Sequence, residues 1–296
     1  MDRVVVIGPG AIGGAVAGAV VESGGHITIA ARRPFDELEV IHPEGRVSAT
    51  VECSAAPEAL SPADLVLLGV KAHQTERAAG WLEAAVGSDS TLVVLQNGVE
   101  HVERLRPFVP SSASIVPAVV AMPARSLSPG RIRVAAPGSL TVPNEPAARR
   151  FADAIDSRFL RVQTTDDWTT AAWGKLLLNA AAGGVGTLSR RDNRVLGRDG
   201  EARSLVLSLM LEIAAVARAE GAEIPDASVE KLLDSLIRRA GSHLSSIVVD
   251  RIEGRATEWD ARNAVVGRIA ARHGIDVPLN RAVTTLIRLG EPEGAS

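Results

Sequence analysis

The sequence predicts an α/β domain with a mostly parallel sheet, followed by an all-α domain. Short β-branched runs alternate with helix-like segments through the first half. After "FLRVQTTDDW" those runs all but vanish, and long apolar periodicities take over. A length of 296 residues also gives two ordinary domains room for a core each. The boundary is placed near Thr165, giving an N-terminal domain over 1–165 and a helical domain over 166–296.

In chain order, "RVVVIG", "HITIAA", "DLVLLGV", "TLVVLQNG" and "SIVPAVVAM" read as strands bounded by turn residues. Between the first two, "GAIGGAVAGAVVESGG" reads as a helix opened by a glycine loop and stopped at Gly24 and Gly25. "RIRVAAPGSLTV" reads as two short strands around a Pro137–Gly138 turn, an antiparallel addition to the main sheet. "FLRVQTTDDW" is the last strand. "EARSLVLSLMLEIAAVARAEG" then predicts a helix stopped by Gly221, and "TEWDARNAVVGRIAARHG" another, with Thr257 and Asp260 at capping-box-like spacing and Gly274 as C′. The tail "GEPEGAS" is expected to be disordered.

Apolar residues make up 46% of the chain and charged ones 23%, the balance of a globular protein rather than a disordered one. The net charge of −3 comes from interspersed acids and bases, so no basic stripe points to nucleic acid or an anionic membrane. Cys53 is the only cysteine, which excludes an intrachain disulfide and any multi-cysteine metal site, and no metal is expected. It reads as a small residue in or near a strand. The first residues enter a strand pattern at once, and no run approaches the roughly 18 apolar residues of a membrane helix. The expectation is a cytoplasmic protein acting on a small molecule.

"VVVIGPGAIGG" places Gly8, Gly10 and Gly13 after a buried-strand pattern and before a helix, the context of the dinucleotide fingerprint of a Rossmann-type fold. Gly8 permits the tight turn, Gly10 lets the backbone approach a pyrophosphate, and Gly13 lets helix and strand pack closely. Ala11 and Ile12 complete the loop and are grouped with the glycines as cofactor contacts. At the end of "HITIAARR", where NAD-binding folds place an acid, stand Arg32 and Arg33. A guanidinium grips a 2′-phosphate that a carboxylate would repel, so NADP is favoured over NAD. Asp36 and Glu37 on the following loop weigh the other way, and either arginine can also be merely solvated. Lys71 in "GVKAHQT" and Asn97 in "LQNGVE" follow parallel strands at the end where such folds bind ligands, where each can reach cofactor or substrate, and both are counted among the cofactor contacts.

In the helical half, "WGKLLLNAAAGG" sets Lys175 and Asn179 one turn apart on one helix face. Two readings of Lys175 stand level on the residues alone: a stem covering apolar surface with its amine in water, or a partly desolvated ammonium that donates a proton. "SSIVVDRIEGRATEWD" supplies Ser246 and Glu258, separated by a helix break at Gly254. Glu258 is expected in the first turn of the next helix, where any carboxylate has an electrostatic reason to be.

Taken in order, the glycine loop, the arginine after the second strand, "LQNG", "WGKLLLN" and "SSIVVDRIEGRATEWD" resemble the ketopantoate reductases (2-dehydropantoate 2-reductases). The resemblance spans essentially the full chain and extends to "EIAAVARAEG" and "ARHGIDVPLNRAV". It implies NADPH-dependent reduction of a small 2-oxo acid, foremost ketopantoate, with C-terminal helices like those of 6-phosphogluconate dehydrogenase and a cleft between the domains. By resemblance Lys175 matches the general acid and Glu258 the acid that bonds the substrate. Asn97, Asn179, Asn193 and Ser246 match substrate contacts, and Arg32 and Lys71 match cofactor contacts. The chain departs at Gly183 and Gly184, where the family's second asparagine is expected; the pair is expected to loosen or end the helix and to relax the substrate assignment. The alternatives are a paralogue reducing another 2-oxo acid or an imine, a sugar-phosphate oxidation, and a non-catalytic NADP(H) sensor. The oligomeric state stays open, with a homodimer among the options.

Overall fold

The computed structural model describes residues 3–242 and 244–292. The chain divides into two compact units, one comprising Met1–Gln96 and Glu100–Trp168 and the other Asn97–Val99 and Thr169–Ser296.

In the first unit the strands are β1 (Val4–Ile7), β2 (Ile27–Ala30), β3 (Glu37–His42), β4 (Gly45–Thr50), β5 (Glu52–Ser54), β6 (Ala63–Leu68), β7 (Val86–Val94) and β8 (Ser114–Pro117). They continue with β9 (Val119–Ala121), β10 (Ala124–Ser128), β11 (Arg131–Val134), β12 (Gly138–Pro143) and β13 (Leu160–Thr165). The helices are α1 (Ala11–Glu22), α2 (Ala79–Ala85), α3 (His101–Leu105) and α4 (Pro146–Asp153). Six strands form one sheet in the order β5-β2-β1-β6-β7-β8, each pair parallel. Alternate side chains of β1 enter different cores: Val4 and Val6 pack with α1 residues such as Val16, and Val5 and Ile7 with α2 residues such as Leu82. A sheet covered on both faces explains why these strands read as unbroken apolar runs.

Two expectations for this unit are corrected. "SIVPAVVAM" splits: β8 closes the parallel sheet, whereas β9 pairs with β12 in a separate sheet ordered β13-β12-β9. Pro117 is tolerated because β8 is an edge strand. The strands around Pro137 and Gly138 do not pair with each other or join the main sheet. β11 lies between β3 and β10, and β12 lies between β9 and β13. The true antiparallel partner of β11, "ARSLS", is an exposed edge strand with no apolar alternation to read.

The second unit is helical: α5 (Trp168–Ser189), α6 (Gly200–Ala219), α7 (Asp226–Arg238), α8 (Ser246–Ile252), α9 (Val265–Arg272) and α10 (Pro278–Leu289). α6 buries Val206, Leu209, Met210, Ile213 and Ala217, the i, i+3, i+4 stripe its sequence predicts. Asp199 caps its start by accepting from the Glu201 and Ala202 amides, and Gly221, at φ 91°, ends it. None of the described helices is long and apolar enough to cross a membrane.

The capping box at Thr257 and Asp260 is not formed. The Thr257 hydroxyl donates to Glu291 Oε1 at 2.8 Å, the Thr257 amide to Glu291 Oε2 at 2.8 Å, and Asp260 pairs with Arg268. Residues Asp260–Ala264 form a π turn, so Glu258 stands just before the helix rather than inside its first turn. Glu291 also pairs with Arg251 at 3.0 Å, which anchors the near part of the tail; residues 293–296 lie outside the described residues.

Candidate active site

The glycine loop joins β1 to α1 in the first unit. Gly8 has φ 83°, a conformation costly for any residue with a Cβ. A Cβ at Gly13 would stand 2.3 Å from the Gly8 carbonyl oxygen, so helix and strand meet there with no spare room. Gly69, which the sequence reading did not single out, packs against both: a Cβ there would meet Gly8 O at 2.6 Å and Gly13 Cα at 2.7 Å. Gly13→Ala is therefore expected to displace the loop and lower the thermal midpoint, measured by thermal denaturation. Gly10 is different, because nothing lies within 4 Å of where its Cβ would be. It precedes α1, whose first turn holds no acidic residue. Open space before an uncompensated helix N-terminus fits a pyrophosphate.

Arg32 and Arg33 follow β2 and are both exposed, and among the described residues neither makes an ion pair or a side-chain hydrogen bond. They are available to a 2′-phosphate. Lys71 follows β6, half-buried, with its carbonyl accepting from the Gln74 amide.

Four sequence-selected residues converge in the second unit. Lys175 and Asn179 share one face of α5, at the edge of the core formed by Trp173, Leu176, Leu177 and Ala180. Asn97 Nδ2 donates to Glu258 Oε2 at 2.8 Å, joining positions 161 residues apart. Glu258 is only 6% exposed and acts electrostatically on Lys175. Burial pushes the Lys175 amine down to about 8; the nearby Arg262 charge adds to that and Glu258 opposes it. An ammonium of this kind gives up its proton near neutral pH. Ser246 is tied in through Arg262, whose Nη1 donates to Ser246 Oγ at 3.3 Å. Asn193 lies in a short 3-10 turn after α5, and no hydrogen bond or ion pair among the described residues joins it to this group.

The structure also corrects the reading of Gly183 and Gly184. α5 runs through both without a break to Ser189. The glycines serve close packing: a Cβ at Gly183 would lie 2.8 Å from Arg262 Nη2, and one at Gly184 3.0 Å from Val283 Cγ1. Arg262 itself escaped the sequence reading. Its π turn sets two consecutive residues against α5, with Arg262 Nη2 donating to the Asn179 carbonyl at 3.2 Å and Asn263 Nδ2 to the Ala180 carbonyl at 2.9 Å.

The sequence model of the family described as "Ketopantoate reductase PanE/ApbA" matches residues 4–146, and its C-terminal counterpart matches residues 167–291. A 2-dehydropantoate 2-reductase of Caulobacter vibrioides is 38% identical over 290 residues, covering 97% of this chain and 98% of that protein. The chain belongs to the ketopantoate reductase family. Another member, from Mycobacterium tuberculosis, is 36% identical over 96% of both chains. A solved ketopantoate reductase structure from Ralstonia eutropha superposes with a TM-score of 0.88 at 28% identity, covering 98% of each chain. As a ketopantoate reductase family member, the chain is an oxidoreductase acting on CH–OH groups, and its expected fold class is the observed one.

Proposed function

We propose that the protein reduces ketopantoate to pantoate with NADPH, with Lys175 as the proton donor. The carrying observation is the Asn97–Glu258 hydrogen bond in a chain of this family, with the buried Lys175 amine in the field of that carboxylate. When bound, NADPH supplies a hydride to the substrate's C2. The Lys175 ammonium gives its proton to the carbonyl oxygen as that oxygen gains charge, and solvent restores the proton afterwards. Glu258 stabilises the charged amine and accepts from the substrate, while Asn97 holds Glu258 in place. Asn179, Asn193 and Ser246 are assigned to the substrate. Gly8, Gly10, Ala11, Ile12 and Gly13 take the pyrophosphate, and Arg32 and Lys71 the rest of NADPH.

Arg32→Ala combined with Arg33→Ala is expected to raise KM for NADPH at least about tenfold and to leave KM for NADH within about twofold, because only the 2′-phosphate contact is lost. Equal loss with both cofactors would remove the arginines from that role. The reading as a whole is tested by NADPH oxidation across a panel of 2-oxo acids, ketopantoate included. A second reading, a paralogue acting on a different 2-oxo acid, is favoured by Gly183 and Arg262. Activity on another 2-oxo acid with none on ketopantoate selects it, and NADPH binding without turnover selects a sensor.

A further inference from the structure

Arg262 is a cation that the reaction above does not use. It is 1% exposed, and its Nε has no hydrogen-bond partner. Its two hydrogen bonds go to neutral oxygens, Ser246 Oγ at 3.3 Å and the Asn179 carbonyl at 3.2 Å. Among the described residues no carboxylate lies within ion-pair distance of it; Glu258 and Asp250 act on it only through space. Asp250 is already held by Arg255 at 2.9 Å. A buried guanidinium without its own counter-ion costs stability, and an apolar side chain of similar shape is commonly as good or better for the fold. The Arg262 guanidinium packs against Gly183, where a Cβ would stand 2.8 Å from Nη2.

Its neighbours say what the charge faces. Lys175 lies close enough for the two cations to repel, and Glu258 is the anion shared between them. With Asp250 committed to Arg255, the local balance is positive and suits one more negative charge. Ser246 is exposed where Arg262 is not. Because Ser246 Oγ accepts from Nη1, its own O–H must point elsewhere, which makes it a donor backed by a positive charge.

We infer that Arg262 is a specificity-determining positioning residue, which turns the Ser246 hydroxyl toward the substrate carboxylate and selects a 2-oxo acid over neutral carbonyl compounds. The inference rests on the proposed reduction of a 2-oxo acid at this site. Gly183 and Arg262 then act as a pair: where the family is expected to carry an amide, this chain reaches the same region with a guanidinium from another helix.

The test compares wild type with Arg262→Met and Arg262→Gln, using a 2-oxo acid and its matched 2-oxo amide, with NADPH. In Arg262→Met, kcat/KM for the acid is expected to fall about tenfold or more, mainly through KM, while that for the amide stays within about twofold. Arg262→Gln keeps a donor to Ser246 without the charge and lies between. The thermal midpoint of Arg262→Met stays at or above that of wild type, a result a merely structural arginine would not give. Equal loss on acid and amide, in whichever variant folds, overturns the inference. Oxamate, a non-reducible anionic mimic of a 2-oxo acid, separates this from the reaction itself. If wild type reduces no 2-oxo acid but oxamate raises its thermal midpoint and not that of Arg262→Met, the anion site stands and the proposed reaction falls. Absence of any oxamate shift in wild type overturns the inference.

Discussion

Lys175→Met lowers kcat by about 10²–10⁴-fold while NADPH affinity stays within about twofold of wild type, the range spanned by loss of a positioned general acid. The change removes the proton donor and keeps a side chain of similar length at the core edge. In wild type the amine is pushed down to about 8, chiefly by burial, so the donor is charged below that pH and its rate falls as pH rises through it. That alkaline limb disappears from the residual activity of the variant. The stability consequence has the opposite sign to the activity. Because the folded amine titrates below the ordinary 10.5, the unfolded chain holds more protons between about 8 and 10.5, and stability rises with pH across that window. Below about 8 the penalty for a charged Lys175 is fully present, so at pH 7 Lys175→Met is at least as stable as wild type by thermal denaturation. A variant that is inactive only because it is unfolded would contradict this.

Glu258→Gln lowers kcat by about 10–100-fold and moves the alkaline limb to lower pH. Glutamine retains an oxygen that can accept from Asn97 Nδ2, so the geometry survives and the charge alone is lost. Glu258 is the group that raises the Lys175 titration against burial and Arg262, so its neutralisation leaves those two unopposed. A pH–rate profile with an unmoved limb would remove Glu258 from the electrostatics of Lys175.

What the sequence made legible was local. The turn from β1 into α1 is written in adjacent residues, because Gly8, Gly10 and Gly13 each answer a constraint imposed within the same few ångströms. Lys175 and Asn179 share a face because a helix repeats every 3.6 residues or so. The Asn97–Glu258 bond joins residues 161 positions apart, and no spacing rule reaches that far; each was a candidate from its own surroundings, and only the resemblance assigned both to one site. Arg262 was hidden for a sharper reason. In an α-helical register Arg262 falls three, four and seven residues before the buried Val265, Val266 and Ile269, on the apolar face, but an arginine reads as solvated by residue type. The error at Gly183 has the same origin, since low helix propensity was read where tertiary packing against Arg262 decides. Glu291 looked like tail and is held by Arg251 and Thr257, partners visible only once the fold exists.

The most direct test of the central claim is to incubate ketopantoate with NADPH deuterated at both C4 positions and analyse the product by mass spectrometry and NMR. The expected result is pantoate carrying one deuterium on C2, with one equivalent of NADP⁺ formed. Unchanged ketopantoate with intact NADPH, or pantoate free of deuterium at C2, would contradict it.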